Sequence, residues 1–113
     1  MAEAFNNASV KLTTTSATDI YQAPTSNAAD RAIVLSCVVA NVDGTTNYPV
    51  TVTVTDSSNT VLSTLAHLIV VPAAASLEVI SNKVILKQSQ KIRATAGTAS
   101  KLEVTLSALE VTV

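Results

Sequence analysis

The sequence predicts an all-β fold, a two-sheet antiparallel sandwich, immunoglobulin-like or jelly-roll-like, with about eight strands. Three observations carry this. Valine and threonine dominate, and both are β-branched residues that suit a pleated, half-buried surface. Val50-Thr51-Val52-Thr53-Val54-Thr55 and Leu102-Glu103-Val104-Thr105-Leu106-Ser107 alternate strictly, so each has one dry face. Turn signals recur at the roughly 8–12-residue spacing of sandwiches and barrels, and no window sustains a helical period.

The elements follow in chain order. Residues 2–8 have no place in the alternation, so residues 1–8 are expected as an N-terminal arm before a single domain over residues 9–113. Such an arm either frays or adds to a neighbour's sheet edge, with Phe5, its only large apolar residue, as the anchor. Val10–Thr15 and Asp19–Gln22 read as short strands, and Pro24–Asp30 as a loop. The stretch from Ala32 to Val42 is apolar at almost every position, as a strand covered on both sides would be. Asp43-Gly44 signals a turn. After Val50–Thr55 the chain turns at Asp56–Asn59 into a long strand, Val61–Val71, which Pro72 closes because it cannot donate to a ladder. Ala73–Ala75 favours helix locally but is too short to nucleate one. Ser76–Ile80 and Lys83–Leu86 flank a Ser81-Asn82 turn, and Lys91–Ala96 alternates with Lys91, Arg93 and Thr95 on its wet face. Gly97–Ser100 leads into the last strand. There the apolar phase changes after Ala108, since Leu109, Val111 and Val113 take over. A bulge near Ala108-Leu109 would produce that change, and so would a strand that leaves one sheet for another surface.

Composition narrows the function. Charged residues are 13% of the chain, against a usual share of roughly 25%. The net charge is −1, without the basic excess of a nucleic-acid binder, so no direct nucleic-acid partner is expected. The N-terminus lacks the basic and apolar regions of a secretory signal. The longest apolar stretch, Leu65–Ala75, is broken by His67 and Pro72 and is too short for a helical membrane span.

The catalytic inventory is thin. The single histidine, His67, lies inside a strand among apolar residues and reads as a half-buried or interface side chain. The single cysteine, Cys37, sits where a buried small apolar residue would sit. One His and one Cys thirty positions apart do not match zinc spacing, and Asp43 and Asp56 read as turn formers, not calcium ligands. Two glycines cannot make a phosphate loop, and three aromatic rings are too few for a stacking platform. No catalytic, cofactor or metal site is expected, and the chain is not expected to be an enzyme. Lys83, Lys87, Lys91, Arg93 and Lys101 form a modest basic run, read as a solvated face and an edge guard, with a weak electrostatic contact to an acidic partner surface as the sharper alternative. The candidate interface residues are Phe5 from the arm, Tyr21 from the Asp19–Gln22 strand, Asp43 and Tyr48 from the Asp43–Pro49 loop, and Pro72 and Ala74 from the Pro72–Ala75 loop.

The order Asp19-Ile20-Tyr21-Gln22-Ala23-Pro24, then Ala32–Gly44, Val52–Asp56, Val71–Val79 and Leu102–Val111 resembles small β-sandwich virion proteins of tailed bacteriophages, notably those of cyanobacterial and marine phages. The resemblance extends from Asp19 onward and rests on turns and strands, with no catalytic signature. It implies a multicopy structural component of the virion, assembled in the host cytoplasm. A capsid cement or decoration protein that bridges coat subunits is the first expectation, with the major capsid protein or other virion subunits as partners, as a homo-oligomer. A neck, tail or fibre-associated component is the alternative, and a host-surface or carbohydrate-binding module on the same fold is the second.

Overall fold

The computed structural model describes residues 1–113 and contains nine strands and no helix. They are β1 (Ala2–Leu12), β2 (Thr18–Gln22), β3 (Arg31–Asn41), β4 (Tyr48–Thr55), β5 (Val61–Val71), β6 (Ser76–Glu78), β7 (Val84–Lys87), β8 (Lys91–Ala96) and β9 (Leu102–Thr112). They form two antiparallel sheets. One runs β1-β9-β3 and then β6, with β7 also on the free side of β3; the other runs β2-β8-β4-β5. Since β6 and β7 occupy successive stretches of the same β3 edge, they act as one strand interrupted at residues 79–83, which leaves eight positions. The first five strands already distinguish the topology. β1 and β2 lie in different sheets, as do β2 and β3, and β3 and β4; only β4–β5 is a hairpin within one sheet. An immunoglobulin sandwich groups its strands differently, and this order is that of a jelly roll.

The core is the inner face of each sheet, and the alternation read from sequence selects it. Val50, Val52 and Val54 of β4, Ile92, Ala94 and Ala96 of β8, and Leu102, Val104 and Leu106 of β9 are all buried. Most core side chains are valine, alanine or leucine, and Tyr21 is the single aromatic among them. A core of short side chains draws its stability from the close approach of two regular faces. Three buried polar residues sit at its margins, each hydrogen-bonded. The Asp30 carboxylate accepts the backbone N–H of Asn27 and of Val113, and so ties the end of β9 to the loop before β3. The Asn41 amide donates to the carbonyls of Thr46 and Val71. The Thr55 hydroxyl donates to the Asp56 carbonyl.

Two expectations change. Residues 2–8 belong to the sheet: β1 pairs with β9 in unbroken register from Ala2 opposite Thr112 to Leu12 opposite Leu102. The expected arm is therefore the outer half of a strand, most of it exposed. Nothing in local alternation revealed it, because neither face of that half is buried within the chain. The second concerns β9. It carries no bulge at Ala108-Leu109, and its even-numbered residues point inward throughout. The bulge lies across the ladder in β3, where Leu35 is the extra residue between Val34 (opposite Ala108) and Ser36 (opposite Ser107).

The tight turns do not use glycine's left-handed conformation. Positive φ occurs at Asn59, Leu68, Ala74, Ser89 and Ser100, and at neither glycine. Gly97 is needed for closeness instead. Its N–H donates to the Pro49 carbonyl, and a Cβ there would lie 2.6 Å from Pro49 Cγ and 3.2 Å from Pro49 O. A Cβ on Gly44 meets nothing within 4 Å. Gly97→Ala should therefore destabilise the fold by about 1–3 kcal/mol, as overpacking does. Gly44→Ala should stay within about 0.5 kcal/mol of the parent. Urea unfolding of the pair checks both, and equal midpoints would contradict the packing argument.

Candidate interaction surfaces

The end of the sandwich where β3, β5 and β9 meet their loops carries four of the six candidate residues. The loops at 42–47 and 72–75, separate in sequence, are knitted into one tip. Asn41 sits beneath both, with its amide on the Thr46 and Val71 carbonyls, its side-chain oxygen accepting the Asp43 N–H, and its own N–H on the Ala75 carbonyl. Ala74 N–H donates to the Asp43 carbonyl, and Ala73 N–H to the Asn47 side chain. Pro72 and Ala74 project outward on this tip, and Ala74 holds a φ of 57°.

Asp43 is the tip's electrostatic centre. Its carboxylate accepts the Tyr48 hydroxyl at 2.6 Å and both the N–H and the hydroxyl of Thr45 at 2.8 Å, with Lys101 Nζ at 3.9 Å. These donors, the Tyr48 hydroxyl first, hold the carboxyl down at about 2. The same bond raises the Tyr48 phenol. Asp43 and Tyr48 are thus mutual partners that stiffen the tip. The Asp-Gly signal marked the turn correctly, but the turn is made by the aspartate side chain bonding the backbone two residues on.

Tyr21 is not a surface residue. It is 7% exposed, and its hydroxyl donates to Glu110, which also accepts the Asn6 amide. Burial first, and the Glu110 carboxylate second, push its phenol upward. Sequence could not separate a buried tyrosine from a contact tyrosine, because the partner that satisfies its hydroxyl is 89 positions away. Cys37 is buried as expected, and burial, aided by Glu78, pushes its thiol up to about 12, so the thiolate needed for disulfide exchange is suppressed. His67 is exposed on β5. The basic run does not form one face. Lys91 and Arg93 converge on Asp19 at 3.0 and 2.6 Å on the β2-β8 surface and hold its carboxyl low. Lys87 lies on β7 in the other sheet, and Lys101 lies at the tip.

Two exposed apolar surfaces remain, one on each sheet. The first is β5, an edge strand on which Val61, Leu62, Leu68 and Val70 are each half or more exposed. Its pairing with β4 shifts register three times, and Leu68, at φ 51°, donates its N–H to the Thr51 hydroxyl in place of a ladder bond. The second is the outer face of the other sheet. Phe5 is 80% exposed there and flanks, with Leu35, an open groove of about 440 Å³ floored by Ser107 and Ala108. The sequence singled out Phe5 and missed its neighbours Leu109, Ile33 and Ile85, although the phase change after Ala108 was their trace.

No known family's sequence profile matches the chain, and no curated protein does. Solved structures do. A chain of Bacillus endospore appendages, which form a family of disulfide-linked pili, superposes with a TM-score of 0.57 at 16% identity, over 98% of this chain and 88% of that one. A chain from the acid-stable capsid of Helicobacter pylori bacteriophage KHP30 superposes with a TM-score of 0.54 at 10% identity, over 97% and 87% respectively. At these identities the likeness establishes a shared small all-β fold.

The Asp43 network has a pH signature. A carboxyl held below its ordinary value of 3.8 adds stability that is complete above about pH 4 and is lost as pH falls through about 2. Asp43→Asn should melt at a lower temperature than the parent at pH 7, and the gap should close as the pH approaches 2. A gap that persists at the acid end, measured by thermal denaturation, would show that the charge is not what holds the tip.

Proposed function

We propose that the protein is a structural, non-catalytic subunit of a tailed-phage virion, and that it acts as a capsid cement that bridges coat subunits on the head. The observation that carries this reading is the pair of separate apolar surfaces on the two sheets. Large exposed apolar patches on a soluble fold mark places where other molecules bind. One such patch suits a terminal partner, whereas two on different sheets suit a subunit that joins neighbours. The knitted tip adds a projection that loses little conformational freedom on docking. The fold shared with a chain from a phage capsid, and the resemblance of residues 19–113 to tailed-phage virion proteins, agree with this reading.

The mechanism is mechanical. The β5 edge, with its row of exposed valine and leucine side chains, seats against a coat subunit and removes that surface from water. Each contact is modest, but a shell repeats it at every symmetry-related joint, so the resistance to internal pressure multiplies. The irregular register of β5 and the αL residue Leu68 twist the edge away from open-ended strand pairing, which guards free subunits against aggregation.

Particles of the encoding phage prepared without this protein should release DNA at a lower temperature, and adding the purified chain back should restore the parent release temperature. Leu62→Glu, at an exposed position of β5, should abolish that restoration while leaving the fold intact. Copies should scale with the number of coat subunits. Unchanged heat release, or a copy number limited to a single ring, would overturn the cement role.

A further inference from the structure

The outer face of the β1-β9-β3 sheet changes character along its length. Toward the tip its cross-strand rows are largely polar, as in Lys11–Glu103–Ala40 and Ser9–Thr105–Val38. Beyond the Leu35 bulge the row becomes Phe5–Leu109–Ile33–Ile85, four apolar side chains directly opposite one another across β1, β9, β3 and β7. Phe5 is 80% and Ile85 65% exposed. On the inner face at the same level β9 carries Glu110, occupied by Tyr21 and Asn6. The strand therefore keeps its phase while its apolar residues move outward, and burial within this chain does not account for them. The adjoining row reads Glu3–Val111–Arg31–Lys87, with an acid at the β1 edge and a base at the β7 edge.

We infer that this face packs against the same face of a second copy, about a two-fold axis running parallel to the strands. The inference rests on reading the protein as an assembly subunit, and it leaves β5 for the coat. Such an axis lays β1 over the partner's β7 and β9 over the partner's β3. Phe5 then meets the partner's Ile85, Leu109 meets the partner's Ile33, and Glu3 meets the partner's Lys87. The face is self-complementary in this sense alone: opposite charges stand at opposite ends of one row, and only a copy turned about that axis presents them reversed. An axis across the strands would set Phe5 on itself and move the charged row onto the neutral Asn7–Ser107 row. The parallel-axis arrangement is also the ordinary aligned packing of two sheets, about 10 Å apart.

Sedimentation of the purified full-length chain across a concentration series at low salt tests this. A dimer is expected. Phe5→Glu and Ile85→Glu should each raise its dissociation constant at least about tenfold, because the two-fold places each change at both ends of the apolar row and buries a charge against an apolar partner. Glu3→Lys and Lys87→Glu should each weaken it, and the combined Glu3→Lys/Lys87→Glu chain should return to within about threefold of the parent. All four side chains are exposed, so circular dichroism melts at concentrations low enough to keep every chain monomeric should be unchanged. A chain that is monomeric at every concentration, a dimer indifferent to Ile85→Glu, or a double variant without recovery overturns the inference. So does a monomer whose attachment to particles is lost in Ile85→Glu, which puts a coat subunit on the face. A monomer that still cements particles overturns this inference and leaves the proposed role standing; a dimer absent from particles does the reverse.

Discussion

The placement of β9 between β1 and β3 is the constraint on which the rest of the molecule depends. These three strands are each 11 residues long, and the last strand of the chain pairs along its whole length with the first and nearly its whole length with the third. Its inner face supplies Leu102, Val104, Leu106 and Ala108 to the core, and its end is tied down by Asp30. Chain ends usually fray, but here each end satisfies the other's backbone groups. The cost is that closure needs contacts between residues about as far apart as the chain allows, a topology in which loop-closure entropy must be met before the pairing rewards it.

That arrangement also separates two kinds of surface. At one end the loops are drawn together over the ends of β3 and β5, and Asn41, Asp43 and Asn47 satisfy backbone groups that would otherwise face each other unpaired. Polar side chains there work inward, so the tip is stiff. At the other end β1 and β9 continue with little beneath them, and the molecule extends to 47 Å along its longest axis against 21 Å along its shortest. There the apolar side chains face out. Stiffness at one end and an uncovered apolar row at the other are the two features on which the proposed assembly role rests. Cys37, the single cysteine, is buried beneath this surface, and burial pushes its thiol up.

What the sequence by itself determined was local: the strands, their dry faces, the turns and the burial of Cys37. A period of two is a property of consecutive residues, so Val50–Thr55 and Leu102–Ser107 disclose which side chains share a face without reference to any neighbour. The tip loops were marked as contact candidates on the same local grounds. Tertiary structure alone decided what each face meets. It chose the jelly-roll order over the immunoglobulin one, gave residues 2–8 to the sheet, buried Tyr21 on Glu110, and divided the basic run between two sheets and a loop. It also turned the phase change after Ala108 into a cross-strand apolar row, through register with Phe5, Ile33 and Ile85. Register and sheet order join residues tens of positions apart, and alternation carries no record of which strand lies alongside, because each strand's pattern is satisfied by any partner that offers a dry face.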